Sequence, residues 1–437
     1  MRRTIYQDLL GWKRAKARKP LILKGARQVG KTYSLKEFGA VEFAHCHHFD
    51  FIKDKKLKTV FEGDTDPLAI IKKLEIQYDK KIDPARDLII FDEIQDCPNA
   101  LTSLKYFCDD LKNSFVIGSG SFLGVSLSAE PYPVGKIKTL KMYPMTFFEF
   151  LRGLGREPLL NAILEGTQGN RIDLSVHEKA LEYLKFYFIT GGLPEIVNEF
   201  KNSHSDLAGS FIKVREMQFE MLDNYQNDMS KHAGKINALK IQAVFQDVPV
   251  QLARENKNTT KFVFKDVLTS RSNYEQLEDP IMWLEKSGLI FKVPVCNRAA
   301  QPLKAYTTHN HFKLYLFDVG LLGAMTGLEP KTIFNYDFGS YKGYFVENYV
   351  LQELTSSLEA PVYSWKENTS EVEFLIALSG EITPVEVKAG INKKAKSLKV
   401  FMDKYSPKKS FLVSGHTISL KNKGVSYLPL YAVSAIG

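Results

Sequence analysis

"KPLILKGARQVGKTYSLKEF", residues 19–38, runs from a short apolar stretch through a glycine-bounded loop into a segment with Leu35 and Phe38 at helical spacing. The order strand, loop, helix, with the loop reading GxxxxGK[ST] from Gly25 to Thr32, is the pattern of a phosphate-binding Walker A loop. The chemistry accounts for the residue types. Gly25 and Gly30 let backbone N–H groups curl around phosphate oxygens, and the N-terminus of the next helix favours their charge. Lys31 is long enough to reach the β and γ phosphates, and Thr32 offers a hydroxyl to magnesium. Gly25, Ala26, Arg27, Gln28, Val29, Gly30, Lys31, Thr32 and Tyr33 are therefore the expected ATP contacts, with ATP and Mg2+ as cofactors.

Downstream, "DLIIFDEIQDCP" (87–98) places four apolar residues, the mark of a buried parallel strand, before Asp92 and Glu93. After a Walker A loop this reads as a Walker B strand rather than an acidic cap on the next helix. Asp92 would hold magnesium through water, and Glu93 would orient or deprotonate the water that attacks the γ phosphate. A second apolar strand, "SFVIGSGSFLG" (114–124), ends in Ser119, Gly120 and Ser121. Ser119 is either a sensor of the γ phosphate or part of a serine-rich turn. "HCHHFD" (45–50) holds His45, Cys46, His47 and His48, but neighbours in a strand point to opposite faces. At most two of them can share a metal, so an α/β strand is the expected reading.

The remaining composition sets bounds. The 437 residues allow two or three domains, and 59 Lys and Arg against 50 Asp and Glu give a net charge of +9, which leans toward anionic partners such as nucleic acid. Cys46, Cys97, Cys108 and Cys296 form no CxxC pair, which fits a reducing cytoplasm and indicates neither a disulfide framework nor a zinc knuckle. The basic N-terminus carries only the apolar run "LIL", and no 18-residue apolar stretch occurs, so a soluble cytoplasmic protein with no membrane partner is expected.

"GARQVGKT", "IIFDEIQDCPNALTSLK", "SGSFLGVSLSAEPYPVGKIKTLKMYPMTFFEFL", "YFITGGLPEIV" and "KLYLFDVGLL", in this order, resemble a widespread group of prokaryotic AAA+-like ATPases. The resemblance covers nearly the whole chain. It implies a P-loop parallel sheet with a helical lid and a C-terminal domain of unknown function related in fold to restriction endonucleases. It also implies an arginine near the nucleotide, after a glycine that precedes "PMTFFEF". Here "PVGKIKTL" offers Lys136, which keeps the charge but loses the planar fork. Arg27 and Arg152 are the remaining candidates, and the oligomeric state stays open.

The middle of the chain is helical by pattern. "MTFFEFLRGL" and "EKALEYLKFYFITGGLPEIV" repeat apolar residues at three and four, with Gly191, Gly192 and Pro194 breaking the run. "KINALKIQAVFQDVPVQLAREN" and "VFKDVLTSRSNYEQLEDPIMWLEKSGLIFKVPVC" follow as helices and then a strand, the order of a winged helix-turn-helix. Residues 272–284 would lie where a recognition helix does, with Lys265, Arg271 and Lys286 near phosphates. The same unit serves equally as a packing element between domains.

At the tail, "GSYKGYFVENYVLQELTSSL" (339–358) is an amphipathic helix followed by strands "PVYSWKE", "SEVEFLIAL" and "ITPVEVKAG", with a turn at Ser379–Gly380. A helix and three strands also open the nuclease fold called PD-(D/E)xK. Glu371 and Glu373 share one strand face, as do Glu386 and Lys388. Glu347, Glu373 and Glu386 would hold a second Mg2+, and Lys388 would stabilise developing phosphate charge or position the attacking water. The competing reading is a half-buried strand that shows polar residues to solvent.

The expected architecture is α/β throughout: a P-loop ATPase core over 1–150, a helical lid over 151–228, a winged-helix-like domain over 229–335 and a nuclease-like domain over 336–437. The expected function is a Mg-dependent ATPase with Glu93, Lys31, Ser119 and Lys388 as catalytic residues. Its nucleotide state would control a C-terminal domain that acts on or binds nucleic acid, DNA ahead of RNA. The alternative is an ATP-dependent switch or docking protein for nucleic acid or a protein partner, with an inactive nuclease-like module.

Overall fold

Leu21–Lys24 is the short apolar strand expected before the glycine loop, and it forms the inner part of a parallel sheet in the computed structural model. The structure describes residues 3–63, 65–121, 135–169, 171–232, 235–254, 262–265, 267–268, 272–358, 360–390, 395–415, 421–422 and 424–436. The chain divides into two compact units, 1–143 with 286–288, and 144–285 with 289–437.

In the first unit, β1 (Leu21–Lys24), β2 (Cys46–Asp50), β3 (Leu88–Asp92), β4 (Phe115–Gly120) and β5 (Lys138–Lys141) are ordered β2-β3-β4-β1-β5. Every neighbouring pair is parallel. Helices Lys31–Glu42, Pro67–Tyr78 and Pro98–Asp109 connect or flank them. Asp66 starts the second of these by accepting the N–H groups of Leu68 and Ala69, with Pro67 at the first helical position, where its missing N–H costs nothing. Leu88, Ile89, Ile90 and Phe91 have no solvent exposure, as a parallel strand covered on both faces requires. Phe91 meets Phe61 edge-on at 5.3 Å and lies 6.2 Å from Phe51. Truncating such a ring costs about 3–5 kcal/mol, so this aromatic cluster is what holds the Walker B strand in place.

The order matters for the site. β4 lies between β1 and β3, so the carboxyl ends of the loop-bearing strand and the Asp92 strand are separated by the strand that ends at Ser119 and Gly120. Residues from three neighbouring strand ends therefore converge at one edge.

The second unit begins with helices Phe147–Gly153, Glu157–Gln168, Leu174–Thr190, Pro194–Ser203, Leu207–His232 and Lys235–Arg254. A helix at Tyr274–Ser287 precedes the hairpin of β6 (Ile290–Cys296) and β7 (Thr307–Leu316), so the described residues of this stretch show two helices before the strand where the sequence suggests three. Lys265 and Lys286 are exposed, and Arg271 lies outside the described residues. β8 (Tyr363–Glu367), β9 (Ser370–Leu378), β10 (Glu381–Lys388), β11 (Phe411–Ser414), β12 (Lys421–Asn422) and β13 (Val425–Pro429) complete an eight-stranded sheet, ordered β12-β13-β11-β10-β9-β8-β6-β7.

Two features of this sheet bear on the sequence reading. β9 and β10 form the expected hairpin, and both turn residues, Ser379 and Gly380, have the positive φ of a tight two-residue turn. The second feature redraws a boundary. β6 pairs in parallel with β8, so the line between 335 and 336 runs through one sheet rather than between two. Helix Tyr341–Ser357 packs against β7 and β10 and presents Glu347 to this sheet's polar face. Among the described residues, no helix is long and apolar enough to cross a membrane.

Candidate active sites

The loop after β1 closes more tightly than a side chain would allow. A Cβ on Gly25 would sit 2.2 Å from the carbonyl oxygen of Met142, so the loop's approach to the backbone just after β5 needs glycine. Gly30 has φ +96° and starts helix Lys31–Glu42. Lys31 is only 6% exposed. Its ammonium donates to the carbonyls of Gly25 at 3.0 Å and Ala26 at 2.8 Å, and to Ser121 Oγ at 3.1 Å. Burial lowers this amine to about 8 against the pull of Glu93 and Asp92. An arriving phosphate offers the ammonium full negative charge in place of partial charges, which is a large gain in a buried setting. Tyr33, the last of the expected contacts, is 60% exposed beside it.

Asp92 gathers four donors. Its Oδ2 accepts the Thr32 hydroxyl at 2.7 Å and contacts His48 Nε2 at 2.9 Å. Its Oδ1 accepts the Ser119 hydroxyl and, at 3.1 Å, the Glu93 N–H. Burial alone would raise this carboxyl, but the hydrogen bonds from His48, Ser119 and Thr32 outweigh it and bring it down to about 2. The ionised oxygen against the Thr32 hydroxyl is a hard, all-oxygen donor set, which fits Mg2+ bound by one hydroxyl and, through water, one carboxylate. Thr32 and Asp92 are the residues that would hold it.

Glu93 adopts the left-handed region at φ +52°, a conformation that costs a non-glycine residue energy and that recurs where a side chain must be aimed. Its carboxylate accepts from Gln95 Nε2 at 2.6 Å. Burial raises its carboxyl, which suits a group that must accept a proton from water. Arg27 lies close enough to influence both Glu93 and Lys31. Lys136, by contrast, is paired with Asp109 at 2.6 Å. Arg152 is exposed on its helix in the second unit.

The sequence reading weighed His48 only as a metal ligand, not as a partner of Asp92. The alternation of β2 separates it from His47, and the structure sends the two to different carboxylates, His47 to Asp87 at 3.1 Å and His48 to Asp92. The signal that would have found it is register. Asp50 pairs with Asp92 across β2 and β3, so the residue two before Asp50 shares its face and reaches the same strand end.

The second cluster lies on the sheet of the second unit. Lys388 Nζ is 2.6 Å from Glu386 Oε1 and 3.6 Å from Glu373 Oε1. Glu373 Oε2 accepts the Val387 N–H at 3.0 Å. Burial pushes the Glu386 carboxyl well up, Glu373 adds to this and Lys388 partly offsets it. Glu347 accepts from the Tyr315 hydroxyl at 3.4 Å. Lys313, 3% exposed, pairs with Glu371 at 2.6 Å. Glu373, Glu386 and Lys388 lie together, and two residues the sequence reading did not include, Lys313 and Tyr315, pair with Glu371 and Glu347.

Among the described residues no three His, Cys, Asp or Glu side chains are grouped to hold a metal ion. The Lys388 ammonium lies against the Glu386 and Glu373 carboxylates, and Glu347, which accepts from Tyr315, is close enough to raise Lys388 as well. One buried oxygen, Glu386 Oε2, has no hydrogen-bond partner, and a single open acceptor does not make a divalent site. As folded, these residues hold a lysine.

Comparisons with known proteins bear on the first unit most directly. Residues 17–151 match the family model of an AAA domain, and 181–332 and 342–433 match two models described as domains of unknown function, DUF8612 and DUF4143. No curated protein matches the chain. Solved structures with a likeness include the Aeropyrum pernix ORC1 protein in complex with DNA, 11% identical with a TM-score of 0.26 over 74% of this chain and 90% of that one. A signal transduction ATPase with numerous domains from Pyrococcus horikoshii is 13% identical, TM-score 0.27, over 80% and 45%. The Drosophila ORC bound to DNA is 16% identical, TM-score 0.23, over 73% and 94%. The match over 17–151 falls on a parallel sheet with the glycine loop at its carboxyl edge, which supports an AAA+-like, nucleotide-binding P-loop domain in this part of the chain.

Proposed function

We propose that the protein binds ATP with Mg2+ at Gly25–Tyr33, hydrolyses it with Glu93 as the water-activating residue, and uses the nucleotide state to switch a nucleic-acid-binding C-terminal domain. The observation that carries this reading is the meeting of Thr32, Ser119 and the Glu93 N–H on one ionised carboxylate, Asp92, beside a buried Lys31. ATP supplies the phosphoanhydride and Mg2+ neutralises its charge. The chain's part is to hold the phosphates with loop N–H groups and Lys31, orient water with Glu93, and read the γ phosphate with Ser119. Fluorescent-ATP binding and phosphate release test it. Lys31→Ala should abolish binding, and Glu93→Gln should keep binding while stopping turnover. A Lys31→Ala protein that binds and hydrolyses like the parent overturns the reading.

For the tail, we propose a domain that acts on or binds nucleic acid through the face that holds Glu373, Glu386 and Lys388, with an inactive binding module as the alternative. The net charge of +9 leans toward an anionic partner such as nucleic acid, and the partner proposed is DNA ahead of RNA. Incubating plasmid, single-stranded DNA and RNA with magnesium or manganese discriminates the two. Nucleotide-dependent retention without cutting supports the module, and cleavage lost in Glu386→Ala would support a nuclease. Phosphate release with and without DNA then asks whether the two units communicate.

A further inference from the structure

We propose that His48 is a positioning residue for the magnesium of the nucleotide site, acting through Asp92 rather than touching ATP. The inference rests on the ATP-binding reading above. His48 Nε2 lies 2.9 Å from Asp92 Oδ2, the same oxygen that accepts the Thr32 hydroxyl at 2.7 Å. The other oxygen is occupied by the Ser119 hydroxyl and the Glu93 N–H. With Oδ1 held from two sides, the rotation of the carboxylate about its own axis is decided at Oδ2. Two donors meet there, one from the Walker A helix and one from the neighbouring strand β2.

The two donors play different parts. Thr32 can donate its proton to Asp92 and still present oxygen lone pairs to a cation, so it keeps its contact when magnesium arrives. His48 has no lone pair left on Nε2 when that nitrogen donates, so it can only anchor. An imidazole that donates from Nε2 fixes the carboxylate as outer-shell partners fix ligands elsewhere, by setting the direction of its remaining lone pair. The strand register makes the anchor rigid. β2 and β3 pair in parallel from Cys46 with Leu88 to Asp50 with Asp92, and Phe49 beside His48 is 5% exposed in the aromatic core.

The consequence is a separation of two affinities. Loop N–H groups and Lys31 bind phosphate without help from His48, so nucleotide affinity in the absence of metal is independent of it. The metal-dependent gain in affinity passes through Asp92 and depends on it.

The experiment titrates N-methylanthraniloyl-ATP by fluorescence into the full chain, first in chelator and then at stepped Mg2+. The variants are His48→Ala, His48→Gln and Asp92→Asn. His48→Ala is expected to match the parent in chelator and to need about tenfold or more Mg2+ for its half-maximal gain, the usual effect of losing an outer-shell partner. His48→Gln, which returns an N–H at similar reach, should come back toward the parent. Should His48→Ala fail to fold, His48→Asn, whose amide is too short for the contact, carries the same expectation. Parent-like Mg2+ dependence in His48→Ala overturns the proposal. So does an equal loss with and without metal, which would mean a structural role. Failure of the parent itself to bind the analogue overturns the ATP reading instead, and Asp92→Asn with unchanged Mg2+ dependence does the same for the metal assignment.

Discussion

Asp318 accepts the backbone N–H of Gly192 at 2.7 Å across 126 positions of sequence, and its other oxygen accepts that of Leu321 at 3.0 Å. Gly192 in turn passes its carbonyl to the Met145 N–H at 2.6 Å, and the Tyr187 hydroxyl donates to the Met145 carbonyl. Gln352 closes the loop, donating to Tyr187 Oη at 2.8 Å and accepting the Val319 N–H at 2.9 Å. The stretches "PMTFFEF", "TGGLP" and "FDVGLL" are thus joined by hydrogen bonds inside the second unit. A Cβ at Gly192 would meet the Met145 carbonyl at 2.2 Å, so the paired glycines serve close approach of backbone.

Asp318→Ala should therefore unfold the second unit more readily without touching a nucleotide contact. It leaves two buried N–H groups without acceptors, at about 1–3 kcal/mol each. Urea unfolding followed by far-UV circular dichroism should show a lower midpoint with the slope preserved. Asp318→Asn, which keeps one acceptor oxygen, should lose less. Equal stability of parent and Asp318→Ala would mean that these N–H groups find other partners.

Glu353 gives the fold a pH dependence of definite sign. It is 1% exposed, accepts the Phe147 N–H at 2.9 Å and bonds the Ser434 hydroxyl, and burial pushes its carboxyl up to about 8. The folded state therefore keeps a proton that the unfolded state releases near the ordinary carboxylate value, so the group's contribution is fully present at acid pH. It is lost progressively as pH rises from the ordinary range through about 8. Glu353→Gln removes the titration while keeping an acceptor for Phe147. Its stability relative to the parent should rise by about 1–3 kcal/mol between acid and mildly alkaline pH, read from urea midpoints along a pH series. A parallel pair of pH curves would rule the proton out.

Local pattern made much of this legible, and long-range pairing set where it stopped. The loop from Gly25 to Thr32, the strand before Asp92 and the hairpin at Ser379–Gly380 each follow from a few adjacent residues, so periodicity and turn chemistry suffice. The parallel pairing of β6 with β8 depends on residues almost seventy positions apart, Val295 with Ser364, and carries no local mark. The contact of His48 with Asp92 needs the strand order as well as the strands. At the tail the face was readable from period-two spacing, but its occupant was not. Whether Glu373 and Glu386 meet a cation or Lys388 depends on side-chain placement that alternation leaves open.

Gly25→Ala tests the loop's geometry apart from its charge. The added methyl would lie 2.2 Å from the Met142 carbonyl oxygen, and backbone must shift to admit it. Overpacking of this kind costs about 1–3 kcal/mol, which read as affinity is roughly fivefold to a hundredfold. Calorimetric titration with ATP and Mg2+ should show that loss, and thermal unfolding should shift down too, because the clash is present without nucleotide. Undiminished affinity would mean that the loop has room the structure does not show.

Lys388→Met is the test of the lysine-filled cluster. The ammonium offsets part of the burial penalty on Glu386, whose side chain is 3% exposed, and Glu373 stands close enough to raise that carboxyl further. Removing the lysine strands two carboxylates together, and breaking a buried pair costs about 3–5 kcal/mol, toward the lower end here because Lys388 is about a quarter exposed. The sign with pH follows from the raised carboxyl. The folded variant escapes the penalty by keeping a proton on Glu386, so near about pH 5 it should approach the parent, and as pH rises toward about 9 the gap should widen. Lys388→Met combined with Glu386→Gln should recover most of the loss at alkaline pH, because the charge left without a partner is then absent. A double variant no more stable than Lys388→Met alone would place the cost in the lysine's packing and not in its charge.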